Sequence, residues 1–436
     1  MRKVHLRPGS ILTRPLREGK GEQVNKEKRG VPLHIDQALA NRVLACINED
    51  EVVAFLRRLI QAPSVNPPGD VREAIAVCEA PLREAGFSIR LAQLAPEKPN
   101  LIAEYGGDGP VLCLNAHVDV VPTGELSAWK HAPFAADVED GRVYGRGAGD
   151  DKASVTAQIM AGIALARSGV PLKGRLVITT VADEEVGGPA GTALLVDEKL
   201  VTPDWVIVGE QTRNQICLGE KGFVGVRITT HGVAAHGGLP SEGVNAIEAM
   251  ARIIVALSDQ LWPELERRTH PNFRPSSASI NMISGGVKEN VVPDRCQIHI
   301  DRRLVPGEQP ADALAEIEAI AREAVAQVPG ASVVVEGSVE QRLATFNSPE
   351  SPVVQAMLAA NRSLGLSEEL TGFSMATDGR FFASAGYPTI IYGPGDPRIA
   401  HIPDEWVGID EVLAATRAYA LTALALLGPE GAAPGQ

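Results

Sequence analysis

The chain has 436 residues, which suggests two or three domains and a sizeable hydrophobic core. Hydrophobic residues make up 44% of the sequence and charged residues 22%, so a mainly disordered chain is excluded. The net charge of −13 excludes a broad phosphate-binding surface, and the 4% of aromatic residues argues against a stacking platform for single-stranded nucleic acid. We therefore expect a globular protein with no nucleic-acid partner.

The first thirty residues differ in charge from the rest of the chain. Residues 1–30 contain nine Lys or Arg and three Glu, a net charge of +6, and show no sustained apolar period. We predict a basic flexible tail, with an arm that packs on a partner subunit or an acidic surface as the alternative. No apolar run of 7–15 residues follows the basic start, so we predict no secretory signal.

The cysteines predict a cytoplasmic location. The five Cys residues are widely spaced and form no C-x-x-C pair, which is typical of reduced thiols rather than of a disulfide framework. No stretch approaches the 18 apolar residues of a membrane span, so we expect no membrane partner.

Strands and helices alternate in the first half of the chain. A helical period runs from about residue 36 to Leu59, and continuous apolar runs predict strands at 111–121, 175–185 and 204–210. Between the first two strands, apolar residues four apart predict a helix that ends at Gly169. This alternation is typical of an α/β fold with a mostly parallel sheet covered on both faces.

Residues 221–340 show a different pattern. Alternating apolar residues predict four strands, at 222–230, 277–284, 295–303 and 331–336. A helical period follows the first strand and another follows the third, and this β-α-β-β-α-β order is a ferredoxin-like unit. Apolar strand residues resume at 388–395, so we predict a unit inserted into a catalytic domain made of residues 31–220 and 341–436.

Histidine and acidic residues stand where the predicted strands end. His117 and Asp119 are two residues apart, which on a strand puts both side chains on one face. The carboxylate can hold the free nitrogen of a metal-bound imidazole, with a purely structural pair as the alternative. The glycine-rich segment before Asp150 and Asp151 lacks the G-K-[ST] ending of a phosphate loop. It can present a carboxylate to a cation, or its acids can simply pair with a helix dipole.

Three further segments supply ligands of the same kind. Glu184 and Glu185 follow a predicted strand, so one can ligate a metal while the other faces the bound water, unless the segment is a solvated acidic loop. Glu210 follows another strand, and His401 follows a glycine-rich loop. Each segment alone is a weak signal, but open α/β sheets bind ligands at such strand ends.

Five sequence motifs occur in an order that resembles one enzyme family. HVDVVP, GRGAGDDK, ADEEVGG, VGEQT and GPG…AH…DE are similar, in this order, to motifs of the di-zinc amidohydrolases and peptidases. That family includes acetylornithine deacetylase, succinyl-diaminopimelate desuccinylase, aminoacylase and glutamate carboxypeptidase. The resemblance covers roughly residues 36–425. It implies a zinc-peptidase-like α/β catalytic domain, an inserted ferredoxin-like α+β dimerisation (lid) domain, and a homodimer.

The resemblance implies a role for each motif residue. Asp150 would bridge two divalent metal ions, zinc by preference, with cobalt or manganese as substitutes. The other ligands would be His117 and Glu210 at one ion, and Glu185 and His401 at the second. Glu184 would be the general acid/base, and Asp119 would orient His117. The residue after Asp150 is often apolar in this family, so Asp151 is a departure that could change the local charge.

Further segments are similar to parts of the family that contact substrate. Residues 231–247 resemble the dimerisation signature, so His236 would stabilise the oxyanion in the partner subunit's active site, with a surface loop histidine as the alternative. The implied substrate contacts are Asn290, Arg303, Thr377, Asp378, Gly393 and Gly395. For Arg303 the alternative is a structural ion pair with Asp301, and for residues 377–378 it is a turn with a helix N-cap.

The expected activity is hydrolysis of the amide bond of an N-acyl amino acid by a metal-bound hydroxide, with Glu184 as general acid/base. A metallo-carboxypeptidase or dipeptidase is the nearest rival, because dipeptides also present an amide near a carboxylate. A non-catalytic binding protein would have lost a ligand or the base, and the motifs retain both. A serine or cysteine hydrolase is disfavoured because the sequence has no G-x-S-x-G segment.

Overall fold

The structure is a computed structural model, and it describes residues 4–5 and 35–429. The predicted basic tail, residues 1–30, lies outside the described residues except for the backbone of Val4–His5, and it stays a prediction. The helices are α1 Gln37–Leu44, α2 Glu49–Ile60, α3 Arg72–Glu84, α4 Lys152–Ser168, α5 Thr192–Asp197, α6 Ala246–Ala256, α7 Trp262–Arg267, α8 Pro310–Ala326, α9 Pro352–Leu364, α10 Gly379–Ser384 and α11 Ile409–Leu427. The strands are β1 Val4–His5, β2 Ser88–Gln93, β3 Asn100–Gly106, β4 Val111–His117, β5 Asp137–Glu139, β6 Arg142–Tyr144, β7 Arg175–Val181, β8 Trp205–Val208, β9 Ile216–Glu220, β10 Gly222–His231, β11 Ala235–His236, β12 Ser277–Gly285, β13 Val291–Val292, β14 Arg295–Leu304, β15 Ser332–Arg342, β16 Leu370–Phe373, β17 Thr389–Ile391 and β18 Trp406–Gly408.

The chain divides into two compact units. The first unit contains the chain up to Leu218, Asn347–Leu370 and the chain from Thr377 onward. The second unit contains Gly219–Phe346 and Thr371–Ala376. Its long segment is close to the insert predicted at 221–340, and its short second segment has no counterpart in that prediction.

The first unit is built on a nine-stranded sheet, in the order β1-β2-β3-β7-β4-β8-β17-β9-β16. The four central strands, β7, β4, β8 and β17, are parallel, whereas β3 and β9 run antiparallel to their central neighbours. Strands buried on both faces need apolar side chains at nearly every position, which explains the continuous apolar run of β8. Helix α4 is buried along almost its whole length and ends at Gly169, whose left-handed φ of 62° favours glycine. The expected α/β fold with a mostly parallel central sheet is confirmed.

The second unit has a four-stranded antiparallel sheet in the order β12-β14-β10-β15. Helices α6 and α8 pack against this sheet, and the core between them contains Ile228, Ile253, Ile298 and Ile317. The strand order and the two helices form the ferredoxin-like arrangement that the sequence predicts. A separate two-stranded ribbon pairs β11 with β13.

The helical period predicted from residue 36 is interrupted in the structure. Helix α1 ends at Leu44, and the Asn48 side chain accepts a hydrogen bond from the main-chain N–H of Glu51 at 3.0 Å, which begins α2. Apolar spacing alone does not show this break, because both helices bury the same kind of face. Among the described residues, no helix is long and apolar enough to cross a membrane.

Candidate metal centre

Five side chains that could ligate metal ions meet at the ends of the central strands in the first unit. His117 ends β4, Glu185 lies in the helical turn after β7, and Glu210 follows β8. Asp150 lies just before α4, and His401 lies between β17 and β18. Their ligand atoms form two groups, each within 4.8 Å: His117, Asp150 and Glu210, and then Asp150, Glu185 and His401. Both groups therefore share Asp150, in the arrangement that the sequence predicts.

The two oxygens of Asp150 face different groups. Asp150 Oδ1 is 3.2 Å from His117 Nε2, and Asp150 Oδ2 is 3.1 Å from His401 Nε2. The same His401 nitrogen is 3.3 Å from Glu185 Oε2. Gln211 Nε2 also donates a hydrogen bond to Asp150 Oδ2 at 2.9 Å. Asp150 thus contacts members of both groups through its two carboxylate oxygens.

The buried acids shift the protonation of the whole centre. Burial raises the pKa of Glu210 well above its usual value, and the charges of Asp150 and Asp151 raise it further. Burial also raises the pKa of Asp151 to about 8. Hydrogen bonds to Asp150 and Glu185 raise the pKa of His401 to about 10. Burial therefore favours the protonated form of the carboxyl groups, and the neighbouring carboxylates favour the protonated form of the His401 imidazole.

The donor set fits a pair of divalent cations. Imidazole nitrogens and carboxylate oxygens are ligands that zinc accepts and that cobalt or manganese can share. Glu185 Oε1 is buried and has no hydrogen-bond partner, so one ligand oxygen is unsatisfied within the protein. A cation would satisfy this oxygen and would replace the protons that the acids attract.

Asp119 contacts both the imidazole of His117 and the turn that follows β7. His117 Nδ1 lies 3.0 Å from the main-chain oxygen of Asp119 and 3.5 Å from its carboxylate oxygen Oδ1. The carboxylate accepts the main-chain N–H groups of Glu184 at 3.2 Å and Glu185 at 3.3 Å. The Asp119 carboxylate also accepts a hydrogen bond from Asn66 Nδ2 at 2.8 Å. Asp119 therefore positions the turn as well as the imidazole that the sequence assigns to it.

Glu184 is a mostly buried acid beside a guanidinium. Burial raises its pKa well above the usual value, and the charge of Arg380 opposes this rise. Arg380 Nη1 is 3.8 Å from Glu184 Oε1, and Arg380 Nη2 donates to the main-chain oxygen of Gly187 at 2.9 Å. The sequence analysis did not single out Arg380, although it lies two residues after the predicted Asp378.

Known proteins with similar sequences identify the family. The model of peptidase family M20/M25/M40 matches residues 113–425. The chain belongs to this family.

Several curated relatives of this M20-family chain are deacylases. Succinyl-diaminopimelate desuccinylase of Gluconacetobacter diazotrophicus is 31% identical over 392 residues, covering 86% of this chain and 97% of the relative. N-formyl-4-amino-5-aminomethyl-2-methylpyrimidine deformylase of Bacillus subtilis is 30% identical, covering 85% and 93%. Acetylornithine deacetylase of Myxococcus xanthus is 29% identical, covering 78% and 88%. Together with the family match, these relatives show a metal-dependent hydrolase that acts on amide bonds.

Solved structures of the family share the fold. Aminopeptidase PepT from Bacillus cereus superimposes with a TM-score of 0.72 at 19% identity, covering 87% of this chain and 99% of that chain. The YXEP protein of Bacillus subtilis, described as a dinuclear metal-binding peptidase, has a TM-score of 0.67 at 18% identity, covering 86% and 97%. At these identities the likeness shows the fold and no more.

Four predicted substrate residues lie in the first unit. Thr377 Oγ1 accepts the main-chain N–H of Gly379 at 2.9 Å, and Asp378 Oδ2 accepts the hydroxyl of Thr192 at 2.7 Å. The first bond lies in the turn that begins α10, as in the structural alternative for this segment, whereas the second joins Asp378 to Thr192 in α5. The Asp378 side chain forms no capping hydrogen bond to α10. A Cβ on Gly393 would lie 2.4 Å from the Glu210 main-chain oxygen, and a Cβ on Gly395 would lie 3.4 Å from the Gly149 Cα. Both glycines thus allow close packing beside ligand-bearing loops, and their substrate contacts stay predictions.

Three predicted residues lie in the second unit. His236 is exposed on the ribbon formed by β11 and β13, and its Nδ1 accepts the main-chain N–H of Gly238 at 3.0 Å. Asn290 joins the same ribbon, because its main-chain oxygen accepts the N–H of Gly237 at 2.8 Å. Arg303 forms two hydrogen bonds to Asp301, at 2.7 and 3.0 Å. The ion pair considered for Arg303 is therefore present, and its role in binding substrate stays a prediction.

The raised pKa values predict that cation binding releases protons. His117 also has a pKa well above its ordinary value, because its hydrogen bonds to Asp119 and Asp150 outweigh the lowering effect of burial. At pH 7 Asp151, with a pKa of about 8, and His401, with a pKa of about 10, hold protons in the metal-free protein, and a divalent cation displaces protons from the site. Calorimetric titration of chelator-treated protein with Zn2+, in two buffers of different ionisation enthalpy, should show net proton release. His401→Ala should reduce the release, whereas the exposed His231→Ala should not. An enthalpy independent of the buffer would contradict this account.

Proposed function

We propose that this chain hydrolyses the amide bond of an N-acyl amino acid, with two divalent cations held by the groups that share Asp150. The observation that carries the proposal is this shared ligand, since two adjacent groups of N and O donors are a site for two cations. His117 and Glu210 would hold one cation, and Glu185 and His401 the other. The dinuclear metal-binding peptidase among the structural neighbours supports this reading.

The cations and the mostly buried acid Glu184 would have separate tasks. A bound zinc ion lowers the pKa of a water from 15.7 to about 7 and polarises a carbonyl oxygen. Glu184 would accept a proton from the attacking water and deliver it to the leaving amine. Burial raises the pKa of Glu184 well above its usual value, which favours uptake of a proton from the attacking water. Asp119 supports this role by holding the main-chain N–H of Glu184.

The curated relatives favour an N-acyl amino acid as the substrate. Relatives named desuccinylase and deacetylase match at 29–31% identity over more than three quarters of this chain. A metallo-carboxypeptidase or dipeptidase is the second candidate, because the solved neighbours include peptidases. Their identity of 20% or less to this chain carries the fold but not the substrate.

A homodimer would complete the site in this proposal. Strand β12 lies at the edge of the four-stranded sheet, and exposed apolar side chains lie on and beside it: Met282 at 63%, Ile283 at 61% and Val287 at 85% exposure. An apolar, unpaired sheet edge favours pairing with another chain. The partner subunit's His236 would then donate a hydrogen bond to the oxyanion that forms during hydrolysis.

A substrate panel tests the proposed reaction. Zinc-loaded protein should hydrolyse N-acetyl and N-succinyl amino acids with higher kcat/KM than dipeptides. Glu184→Gln should lower kcat by about 10²–10⁴-fold while the variant still binds two zinc ions, because the base is lost and no ligand is removed. Glu125→Gln changes an exposed acid outside the site and should leave turnover unchanged.

The outcomes separate the two candidate functions. Preference for dipeptides would select the peptidase reading, and absence of turnover on every substrate would contradict both candidates. Full activity of Glu184→Gln would show that this residue is not the base.

Mixed dimers test the role of His236. The chain with His236→Ala keeps its own base, and the chain with Glu184→Gln keeps its own histidine. If His236 acts in the partner's site, one of the two sites in the mixed dimer has both groups, so mixing two inactive variants should restore up to half of the activity per dimer. Activity after mixing should be compared with that of each variant alone. Mixed dimers, verified by differential tags, that show no recovery would contradict action across the interface.

A further inference from the structure

The loop that carries Asp150 is held by a buried carboxylate from a distant part of the chain. Glu405 is 0% exposed, and its Oε1 accepts two consecutive main-chain N–H groups, from Gly149 at 2.9 Å and from Asp150 at 3.0 Å. Its other oxygen, Oε2, pairs with Arg146 Nη1 at 2.5 Å. One side chain therefore binds the loop at three points, including the main chain of the shared ligand itself.

The same residue connects two of the three segments that carry ligands of the second group, those of Asp150 and His401. Glu405 follows His401 by four residues, and its main-chain oxygen accepts the N–H of Gly145 at 2.8 Å. The next residue, Trp406, begins β18, which pairs with β6. Strand pairing sets the overall register of these segments, and the Glu405 carboxylate then fixes the Asp150 backbone relative to the loop of His401.

Arg146 is held in place on the far side of the carboxylate. It is 1% exposed, and its guanidinium lies over the Trp129 ring at 5.1 Å from the ring centroid. Its main-chain N–H donates to the Pro133 oxygen at 2.7 Å. A buried acid needs such a partner, because an unpaired charge in the interior is costly. Contacts within the protein alone therefore hold Arg146 and Glu405 in place.

We propose that Glu405 is a positioning residue that sets the Asp150 carboxylate for both metal groups, with Arg146 orienting Glu405. This inference rests on the proposed two-cation function. It goes further, because it states that the affinity for both cations depends on Glu405, a residue that would ligate neither cation. Partners one step removed from metal ligands typically alter affinity or activity 10–100-fold when they are changed.

A neighbouring residue provides a matched control. Asp404 Oδ1 also accepts two consecutive main-chain N–H groups, from Lys130 at 2.8 Å and from His131 at 3.0 Å. That segment carries none of the five ligands. Asp404→Asn therefore removes a charge from the same kind of contact, one residue away, without touching the Asp150 loop.

The test is zinc titration of the full-length protein after chelator treatment. Glu405→Gln should raise the Kd for both ions by about 10–100-fold and shift the visible absorption spectrum of the cobalt-loaded protein. Asp404→Asn should bind zinc within about twofold of the wild type. A purely structural role predicts instead a lower Tm of the metal-free protein with unchanged zinc Kd, and that result would overturn the proposal.

A second variant covers the case in which Glu405→Gln fails to fold. Glu405→Asp keeps the charge that pairs with Arg146 but draws the carboxylate back by one methylene group, away from the N–H groups of Gly149 and Asp150. A raised zinc Kd in this variant, with a circular dichroism spectrum like that of the wild type, supports the proposal. Wild-type zinc affinity would overturn it. The zinc stoichiometry of the wild type tests the proposed function separately, because the variant is judged only by its ratio to the wild type.

Discussion

The concentration of buried negative charge at the strand ends governs the rest of the first unit. Asp150, Glu185 and Glu210 bring carboxylate oxygens within 4.8 Å of other ligand atoms, in a place that solvent hardly reaches. Such charges repel one another strongly at low dielectric and must be compensated. Protonated imidazoles offset part of the charge without metal, and cations offset it more completely. The loops that carry these acids would separate unless other contacts held them together.

Those contacts come from a second set of carboxylates that bind main-chain N–H groups. Asp119 holds the turn with Glu184, and Glu405 holds the loop with Asp150. Asp183 adds a third such contact, since its Oδ2 accepts the N–H of Ala190 at 3.1 Å. Hydrogen bonds from N–H groups to carboxylates are roughly twice as strong as neutral ones, which suits them to this task. They leave the ligand side chains free to face the cations.

The second set of acids needs positive partners of its own. Arg146 pairs with Glu405, and Lys98 pairs with Asp183. Asn66 connects the third acid, Asp119, to Asp183, because its Nδ2 lies 2.8 Å from an Asp119 oxygen and 3.3 Å from an Asp183 oxygen. The centre is therefore layered, with metal ligands inside, acids that hold the main chain around them, and fixed cations or amides outside.

The sequence predicted the candidate metal ligands but missed Glu405, Arg146 and Asn66, which hold the surrounding main chain and acids in place, and there is a physical reason for this. Strand periodicity and the rule that ligands collect at strand ends mark His117, Glu210 and their neighbours as candidates, and the family resemblance of the ordered motifs implies their roles. The residues that hold the ligands in place are far from their partners along the chain: Glu405 is 255 positions from Asp150, and Asn66 is 53 positions from Asp119. Their pairing depends on strand order and loop path, which local periodicity does not encode. The Arg303 pair with Asp301 could be anticipated because residues two apart share one face of a strand.

The two metal groups are unequal because their ligands come from different kinds of segment. His117, Asp150 and Glu210 are all buried, whereas the His401 side chain is 50% exposed. His401 also has a left-handed φ of 66°, which non-glycine residues adopt at an energetic cost and which is common at functional sites. Solvent therefore reaches the centre beside His401 rather than beside His117.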